Sequence, residues 1–393
     1  MLKNGIIWTA GLAIALASGL AAVGAVAKDK APQLAVSLQP VNGFAFERLA
    51  SNSLKAAVAA NDGLFPNSVD PVAASFAKQA FVSEPVTPEA IAVLALGSTG
   101  GKKRELMHEA LALSRRQQLV NGWMIVDAGT REDIPAILNH YDTMLRTSSS
   151  AASVVIPTMA RALANRNFVE PFAGLLSKKP PWTSQFWWAV VTTPEAIENA
   201  AQLREMLYAA DESEESYQDA NLIYALVNNK RFDAAENLYQ LLAGQRKEAS
   251  LLKNASFERE PEYPPLDWQL FSNGEYGAAV TGGNLRLSAI PSSGGLFARQ
   301  LVKLPSAILK ISVKSNTSIP KNANISIDIK CGEILDNAPR PIRIALTDES
   351  TRKLIDNQQS GCSFYWLEVV GRSAEGGDGF DVVIESVSLQ RQH

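Results

Sequence analysis

The chain has 393 residues, which is long enough for two or three domains with sizeable hydrophobic cores. Its 37 basic and 40 acidic residues give a net charge of −3. No run of Lys and Arg forms a basic patch, so the composition argues against a nucleic-acid-binding protein.

The N-terminal segment predicts where the protein is located. Residues 6–26, IIWTAGLAIALASGLAAVGAV, carry no charge. About 20 apolar residues are enough to cross a bilayer, so residues 1–30 are predicted to form a signal anchor. The alternative is a cleaved signal peptide, for which Ala25-Val26-Ala27 offers a cleavage site. Both alternatives predict an inner-membrane-anchored or secreted periplasmic protein with its bulk outside the cytoplasm.

Residues 31–248 show apolar residues at helical spacing and are predicted to form an all-α solenoid. Thr87-Pro88-Glu89 is a strong helix-start signal, with a hydroxyl cap followed by Pro at the first helical position. The last helix pair has the spacing of a tetratricopeptide repeat, with large, small and aromatic residues at Leu222, Leu226, Phe232, Ala235, Tyr239 and Leu242. This pattern predicts a tetratricopeptide-like array that binds protein partners.

A series of landmarks extends the helical pattern: Ser114-Arg115-Arg116, Trp123, His140-Tyr141-Asp142, Leu145-Arg146 and Lys179-Pro180-Pro181-Trp182. Together they resemble a group of alphaproteobacterial membrane-anchored, tetratricopeptide-like proteins that often carry a sugar-binding-like β-domain at the C-terminus. The group has no settled biochemical activity. The resemblance implies an envelope protein connected with exopolysaccharide production.

The sequence pattern changes at residues 251–258, where helical spacing gives way to short β-branched runs. In Leu309–Lys314, for example, apolar and polar residues alternate as a half-buried strand requires. Residues 249–393 are therefore predicted to form an all-β jelly-roll sandwich. The predicted strands are Trp268–Phe271, Ala278–Val280, Leu285–Ala289, Leu296–Leu301, Ala307–Ser315, Asn324–Lys330, Ile342–Thr347, Phe364–Val370 and Asp381–Leu389.

Four landmarks in this module resemble galactose-binding-like and carbohydrate-binding modules: Asn254-x-x-Phe257-Glu258, Trp268, Leu285-x-Leu287 and the run from Ile384 to Leu389. The resemblance implies that the first and last strands lie side by side. It also implies that Glu258 and Glu385 hold a structural calcium ion, although Asp is usual at the second position. The alternative is that both are ordinary surface carboxylates.

Sugar binding needs an exposed aromatic platform with polar groups beside it. The candidates are Tyr365, Trp366, Trp268 and Tyr276. Tyr365 and Trp366 are adjacent in a strand, so one must point inward and the other outward, and the outward one is the better candidate. The position of Trp268 is commonly part of the core in the resembled family.

The two cysteines, Cys331 and Cys362, both lie in the β-module. In an oxidising compartment an even pair inside one small domain predicts a disulfide. The alternative is two buried free thiols.

The chain carries no motif of a catalytic nucleophile, metalloprotease or phosphate-binding loop, and no motif sets two carboxylates apart as a glycosidase pair. It is therefore predicted not to be an enzyme. The predicted function is a non-catalytic periplasmic scaffold or accessory protein in envelope or exopolysaccharide assembly or export, with the solenoid contacting proteins and the sandwich contacting polysaccharide. One alternative is a glycan-capture module on a helical spacer, and another is a purely protein-binding structural protein.

Overall fold

A computed structural model describes residues 2–61, 64–66, 68–210, 216–244, 250–347, 349–358, 361–375 and 378–392. The chain divides into two compact units, Met1–Val155 and Ile156–His393. The boundary between the units does not coincide with the predicted domain boundary between residues 248 and 249. The last helices therefore belong to the same unit as the strands that follow them.

The first unit is helical. Consecutive helices pack against each other, α3 on α4, α5 on α6 and α7 on α8. The helices are α1 (Leu2–Lys30), α2 (Pro32–Leu38), α3 (Gly43–Ala60), α4 (Pro71–Ser83), α5 (Pro88–Leu96), α6 (Gly101–Leu113), α7 (Gln118–Thr130) and α8 (Ile134–Thr147).

Helix α5 begins at Pro88, where the start signal predicts it, but its cap comes from another helix. The Thr87 hydroxyl donates back to the Glu84 carbonyl instead of accepting from the helix. The Glu47 carboxylate on α3 accepts a 2.8 Å hydrogen bond from the Glu89 backbone N–H. Burial at this position raises the pKa of Glu47.

Helix α1 covers the predicted anchor. The side chains of residues 2–10 and 13 lie outside the described part of the structure. Among the residues whose structure is described, no helix combines the length and the apolar character that crossing a bilayer would need. The predicted membrane helix is therefore not confirmed, and cleavage after Ala27 stays a prediction.

The helices of the second unit start with α9 (Ala152–Ala162), which contains the boundary between the units. They continue with α10 (Val169–Leu176), α11 (Thr183–Val191), α12 (Ile197–Ala210), α13 (Ser216–Asn228) and α14 (Phe232–Leu242). Helices α12 and α13 are joined by a buried ion pair, in which Arg204 Nε lies 2.6 Å from Asp219 Oδ1.

The predicted last pair of helices forms, as α13 and α14, and Leu222, Leu226 and Ala235 are buried. A tetratricopeptide-like solenoid is not confirmed. The aromatic side chains of α14 contact the β-module instead of a further helical repeat: Phe232 packs on Phe364 and Tyr239 on Tyr263.

The β-module consists of two five-stranded sheets in which every neighbouring pair is antiparallel. Sheet A has the order β1-β4-β9-β6-β7, and sheet B has the order β2-β3-β10-β5-β8. The strands are β1 (Gln269–Leu270), β2 (Tyr276–Thr281), β3 (Asn284–Ala289), β4 (Gly294–Lys303), β5 (Ile308–Ser315), β6 (Ala323–Cys331), β7 (Ile342–Ala345), β8 (Ser350–Asp356), β9 (Phe364–Ser373) and β10 (Phe380–Arg391). This arrangement confirms the predicted change from helices to a two-sheet β-module.

Residues 250–258, which we call the seam, lie beside strand β10 where its pairing with strand β3 ends. Strand β3 pairs with β10 only as far as Ile384. Beyond that point the seam lies beside β10: the Leu251 N–H donates to the Leu389 carbonyl, and the Val387 N–H donates to the Ala255 carbonyl. The first segment of the module and its last strand are therefore neighbours.

On the side of sheet A the seam is held by one amide side chain. Gln300 of β4 is completely buried. Its Oε1 accepts from the Lys253 backbone N–H, and its Nε2 donates to the Lys253 carbonyl, both at 2.9 Å. The Gln300 amide thus satisfies the two backbone groups that a neighbouring strand would otherwise satisfy.

Cys331 and Cys362 are joined by a disulfide. Cys331 ends β6, and Cys362 lies just before β9. The bridge therefore connects two neighbouring strands of sheet A at the end that carries Trp366.

Replacing both cysteines with serine should lower the free energy of unfolding. The cysteines are 31 residues apart in sequence, and a cross-link closing a loop of this size contributes about 3–4 kcal/mol, chiefly by restricting the unfolded chain. Chemical denaturation of the oxidised wild type, the reduced wild type and the Cys331→Ser/Cys362→Ser variant would measure it. Reductant should destabilise the wild type and leave the variant unchanged, and equal midpoints for all three would contradict the prediction.

Candidate functional site

Two of the predicted platform residues belong to the core, so their assignment to a sugar platform is wrong. Trp268 is fully buried, packs on Phe257 and donates from Nε1 to the Asn254 carbonyl. Tyr365 is buried between the sheets, and its hydroxyl donates a 2.6 Å hydrogen bond to Asn357 Oδ1. Neither ring offers a free face to a ligand.

Tyr276 also points toward the sandwich interior. It is in register with the buried Ala289, and its ring packs on Phe297 with centroids 5.1 Å apart. The ring fits there because Gly295 has no side chain, since a Cβ on Gly295 would collide with the Tyr276 hydroxyl. Tyr276 is half-buried at the edge of an open groove of about 510 Å³, so it does not form the predicted outward platform.

Trp366 is the outward member of the Tyr365–Trp366 pair, as strand alternation requires. It lies on the outer face of sheet A and is partly exposed. The Arg299 guanidinium lies 4.3 Å from the centroid of its ring and 5.4 Å from that of Phe271. Arg299 is thus placed between two aromatic rings, an arrangement that cation–π attraction stabilises.

The register of sheet A places a row of polar residues across all five strands beside Trp366. Successive pairs are Gln269 with Arg299, Arg299 with Glu368, Glu368 with Asp328, and Asp328 with Arg343. Paired residues in neighbouring strands share one face of the sheet. We call these five residues the central row.

Hydrogen bonds fix the geometry of the central row. Arg299 Nε donates to Gln269 Oε1 at 2.7 Å, and Lys330, which pairs with Trp366, lies 2.6 Å from Glu368 Oε2. The terminal N–H groups of Arg299 donate no hydrogen bond within the described part of the chain. They are therefore available to a ligand that lies on Trp366.

Asp328 is buried in the middle of this face and remains ionised. Arg343 binds both of its carboxylate oxygens, at 2.8 and 2.6 Å, and the Ser326 hydroxyl donates a further hydrogen bond. The Arg343 guanidinium holds the pKa of Asp328 below its ordinary value, with smaller contributions from Ser326 and Lys330. A carboxyl with a lowered pKa is a poor proton donor at neutral pH.

The other end of the same face is closed by a helix. Phe364 faces outward like Trp366 but is buried, because Phe232 of α14 covers it with ring centroids 5.3 Å apart. Lys303 beside it pairs with Asp233 of the same helix at 2.7 Å. The first turn of helix α14 therefore covers Phe364, whereas Trp366 stays partly exposed.

The predicted calcium ligands lie where the resemblance implies but do not by themselves form a calcium site. Glu258 and Glu385 are both exposed, and Glu258 Oε1 accepts from the Ser256 hydroxyl. Calcium takes six to eight oxygen ligands. Within the described residues, no third acidic, His or Cys ligand joins these two carboxylates. A cluster of Cys331, Glu333 and Cys362 does occur, but its sulfurs are joined in the disulfide.

No pattern in the sequence predicts the central row. Each member is an ordinary polar residue on the outward positions of its strand. The row exists only through the pairing of five strands that are far apart in sequence. The alternation around Asp328 indicated its face, but nothing in the sequence indicated its neighbours.

No family model and no curated protein matches the chain. Similarity to solved structures covers about a third of it. A family-61 carbohydrate-binding module in complex with β-1,4-galactotriose shares 17% identity over 37% of this chain and 100% of its own, with a TM-score of 0.26. A family-4 carbohydrate-binding module shares 14% identity over 36% of this chain and 99% of its own, with a TM-score of 0.25.

A further match is a chain from the structure of accessory secretory proteins 1, 2 and 3 of Streptococcus pneumoniae. It shares 12% identity, covers 32% of this chain and 97% of its own, and has a TM-score of 0.24. These low scores assign no function to the chain. The tetratricopeptide and alphaproteobacterial resemblance finds no support in the matches.

The Asp328–Arg343 pair gives the stability of the sandwich a specific pH dependence. Because the folded pKa of Asp328 lies below its ordinary value of 3.8, the ionised pair stabilises the fold above about pH 4. This contribution is lost as the pH falls through the lowered folded value. Arg343→Gln should therefore lower the melting temperature near neutral pH and have little effect in strong acid.

Thermal melts of the wild type and Arg343→Gln across this pH range would measure the effect. Arg352→Gln, an exposed arginine on the edge strand β8, is the matched control and should change little at any pH. A melting-temperature difference for Arg343→Gln that persists unchanged in strong acid would contradict the assignment.

Proposed function

We propose that this chain is a non-catalytic accessory protein whose β-module binds a glycan on the outer face of sheet A. The observation that carries the proposal is the stack of Phe271, Arg299 and Trp366 beside the central row. A pyranose has an apolar face and a rim of hydroxyls. The partly exposed indole of Trp366 suits the apolar face, and oriented charged groups suit the hydroxyls.

The central row supplies both kinds of hydrogen-bonding partner. Arg299 offers its terminal N–H donors, and the Glu368 carboxylate offers acceptor oxygens. Because Glu368 is fixed by Lys330 at 2.6 Å, a ligand would meet a group that is already ordered. Binding to an ordered site avoids part of the entropy cost of fixing side chains.

The same geometry favours binding over hydrolysis. A glycosidase needs one carboxyl with a raised pKa as its general acid. Glu368 and Asp328 are neighbours on this face, but Arg343 lowers the pKa of Asp328. Asp328 is therefore suited to accepting hydrogen bonds and not to donating a proton, and Glu368 is ion-paired with Lys330 at 2.6 Å.

The cellular setting of the proposal comes from the sequence. The uncharged run at residues 6–26 supports export across the inner membrane, with the bulk of the chain in the periplasm. A glycan-binding module in that compartment would meet envelope polysaccharide or exopolysaccharide. We accordingly place the protein in the assembly or export of such a polymer.

Trp366→Ala should weaken glycan binding strongly, because truncating a central aromatic anchor typically costs about 2 kcal/mol, or roughly 30-fold in affinity. Affinity electrophoresis against a panel of envelope polysaccharides would first identify a ligand. Isothermal titration with its oligosaccharide would then compare the wild type with the variant.

Trp188→Ala is the matched control, since it removes an equally large exposed ring from helix α11 and should leave glycan affinity unchanged. Equal loss in both variants would indicate a general structural effect. Failure of the wild type to bind any envelope glycan would overturn the proposed function.

A second candidate function, binding of a protein partner, is favoured by one feature of the helices. Trp188 is 62% exposed, which is unusual for tryptophan in a soluble protein. It borders a slot of about 140 Å³ together with Trp187, Val191, Gln218 and Asn221. Gln218 Oε1 is buried there and accepts no hydrogen bond from the part of the chain that the structure describes. The slot suits one apolar side chain of a partner whose N–H reaches Gln218.

Trp188→Ala should then abolish a protein contact without affecting glycan binding, which is the reverse of the expectation for Trp366→Ala. Cross-linking in envelope extracts, followed by mass spectrometry of adducts on helices α11 and α13, would compare the two variants with the wild type. Adducts that are unchanged in Trp188→Ala would argue against this candidate function.

A further inference from the structure

A second polar site lies where helix α14 meets the seam. It is a cleft of about 620 Å³ within the second unit, in the size range of small-ligand pockets. Apolar walls come from Leu251, Leu304 and Pro305. The cleft is separate from Trp366, which does not line it.

The chemically unusual group in this cleft is Glu236 of α14. Its side chain is only 7% exposed. Oε1 accepts from Lys253 Nζ at 2.8 Å and from Gln240 Nε2 at 3.0 Å. Oε2 is buried and receives no hydrogen bond from any of the described residues. A buried carboxylate oxygen without a donor is costly, so this atom has an unfilled requirement for one.

Three basic side chains line the cleft together with this acceptor. Lys253 is paired with Glu236, and Lys303 is paired with Asp233. Arg391, at the end of β10, forms no ion pair within the described residues. Among those residues, Arg391 is therefore the cation of the cleft that has no acidic partner.

These two unfilled requirements define the ligand. Glu236 Oε2 needs a hydrogen-bond donor, yet a cationic donor such as an ammonium group would be repelled by Lys253, Lys303 and Arg391. A neutral hydroxyl meets the need without that cost. Arg391 needs an anion, and a carboxylate suits its guanidinium geometry. The apolar walls suit the face of a sugar ring.

We propose that this cleft binds an acidic sugar of the uronate type, with a hydroxyl donating to Glu236 Oε2 and the carboxylate bound by Arg391. The ligand is a free uronate or a uronate residue of a polymer, since both present the same groups. The site does not depend on the glycan surface at Trp366.

The test uses the full chain and saturation-transfer NMR with D-glucuronate, D-glucose and D-glucosamine. Glucuronate should bind best, because glucose lacks the anion and glucosamine adds a repelled cation. Arg391→Gln should weaken glucuronate binding about tenfold or more, to the level of glucose, since a charge-assisted hydrogen bond is lost. A uronate disaccharide methylated at its reducing end would show whether a polymer residue also enters.

Two further variants make the outcome specific. Arg352→Gln removes an exposed arginine outside the cleft and should leave glucuronate affinity unchanged. Glu236→Gln should weaken glucuronate and glucose alike, and its melting curve would show whether loss of the Lys253 pair has unfolded the site. Absence of glucuronate binding to the wild type, or binding unaffected by Arg391→Gln, would overturn the proposal whatever happens at Trp366.

Discussion

The arrangement of the second unit depends on the two hydrogen bonds between the Gln300 amide and the backbone of Lys253. The backbone groups of the seam need hydrogen-bond partners at the edge of the sandwich. The fully buried Gln300 side chain on β4 makes the hydrogen bonds that a further strand would otherwise make. Because Lys253 is fixed in this way, its ammonium group can reach Glu236 and the ring of Tyr239. Helix α14 is thereby attached to the β-module by a charge pair and an aromatic contact at one point of the seam.

The position of α14 then divides the outer face of sheet A. Phe364 and Trp366 are two residues apart on the same strand face, so alternation gives them equal chances of exposure. Phe232 covers the ring of Phe364, whereas the Arg299 guanidinium lies over the ring of Trp366. Which aromatic ring remains available to a ligand is thus decided by helix packing and not by the strand itself.

The division of the outer face of sheet A separates what the sequence predicts from what it does not predict. Nine strands are predicted close to their observed bounds, because apolar residues alternate along strands such as β3 and β5. Alternation misses β8, whose charged side chains suit an exposed edge strand and resemble a loop. The burial of Trp268 and Tyr365 depends on hydrogen bonds to buried partners, Asn254 and Asn357, which the periodicity of the sequence does not show. The polar neighbours of Trp366 come from register between distant strands, and the unit boundary at residue 155 comes from long-range packing. Neither strand register nor long-range packing leaves a local signal in the sequence.

The two candidate surfaces differ in their polar groups. On the outer face of sheet A, the carboxylates of Glu368 and Asp328 are each matched by a nearby cation, and Arg299 is held by the neutral Gln269 and by two aromatic rings. Such a surface suits neutral hydroxyl-rich rings. In the cleft beside α14, within the described residues, Arg391 has no acidic partner and Glu236 Oε2 has no hydrogen-bond donor. An acidic sugar supplies both of these groups. A polymer that carries both neutral and acidic residues would therefore offer a ligand to each of the two surfaces.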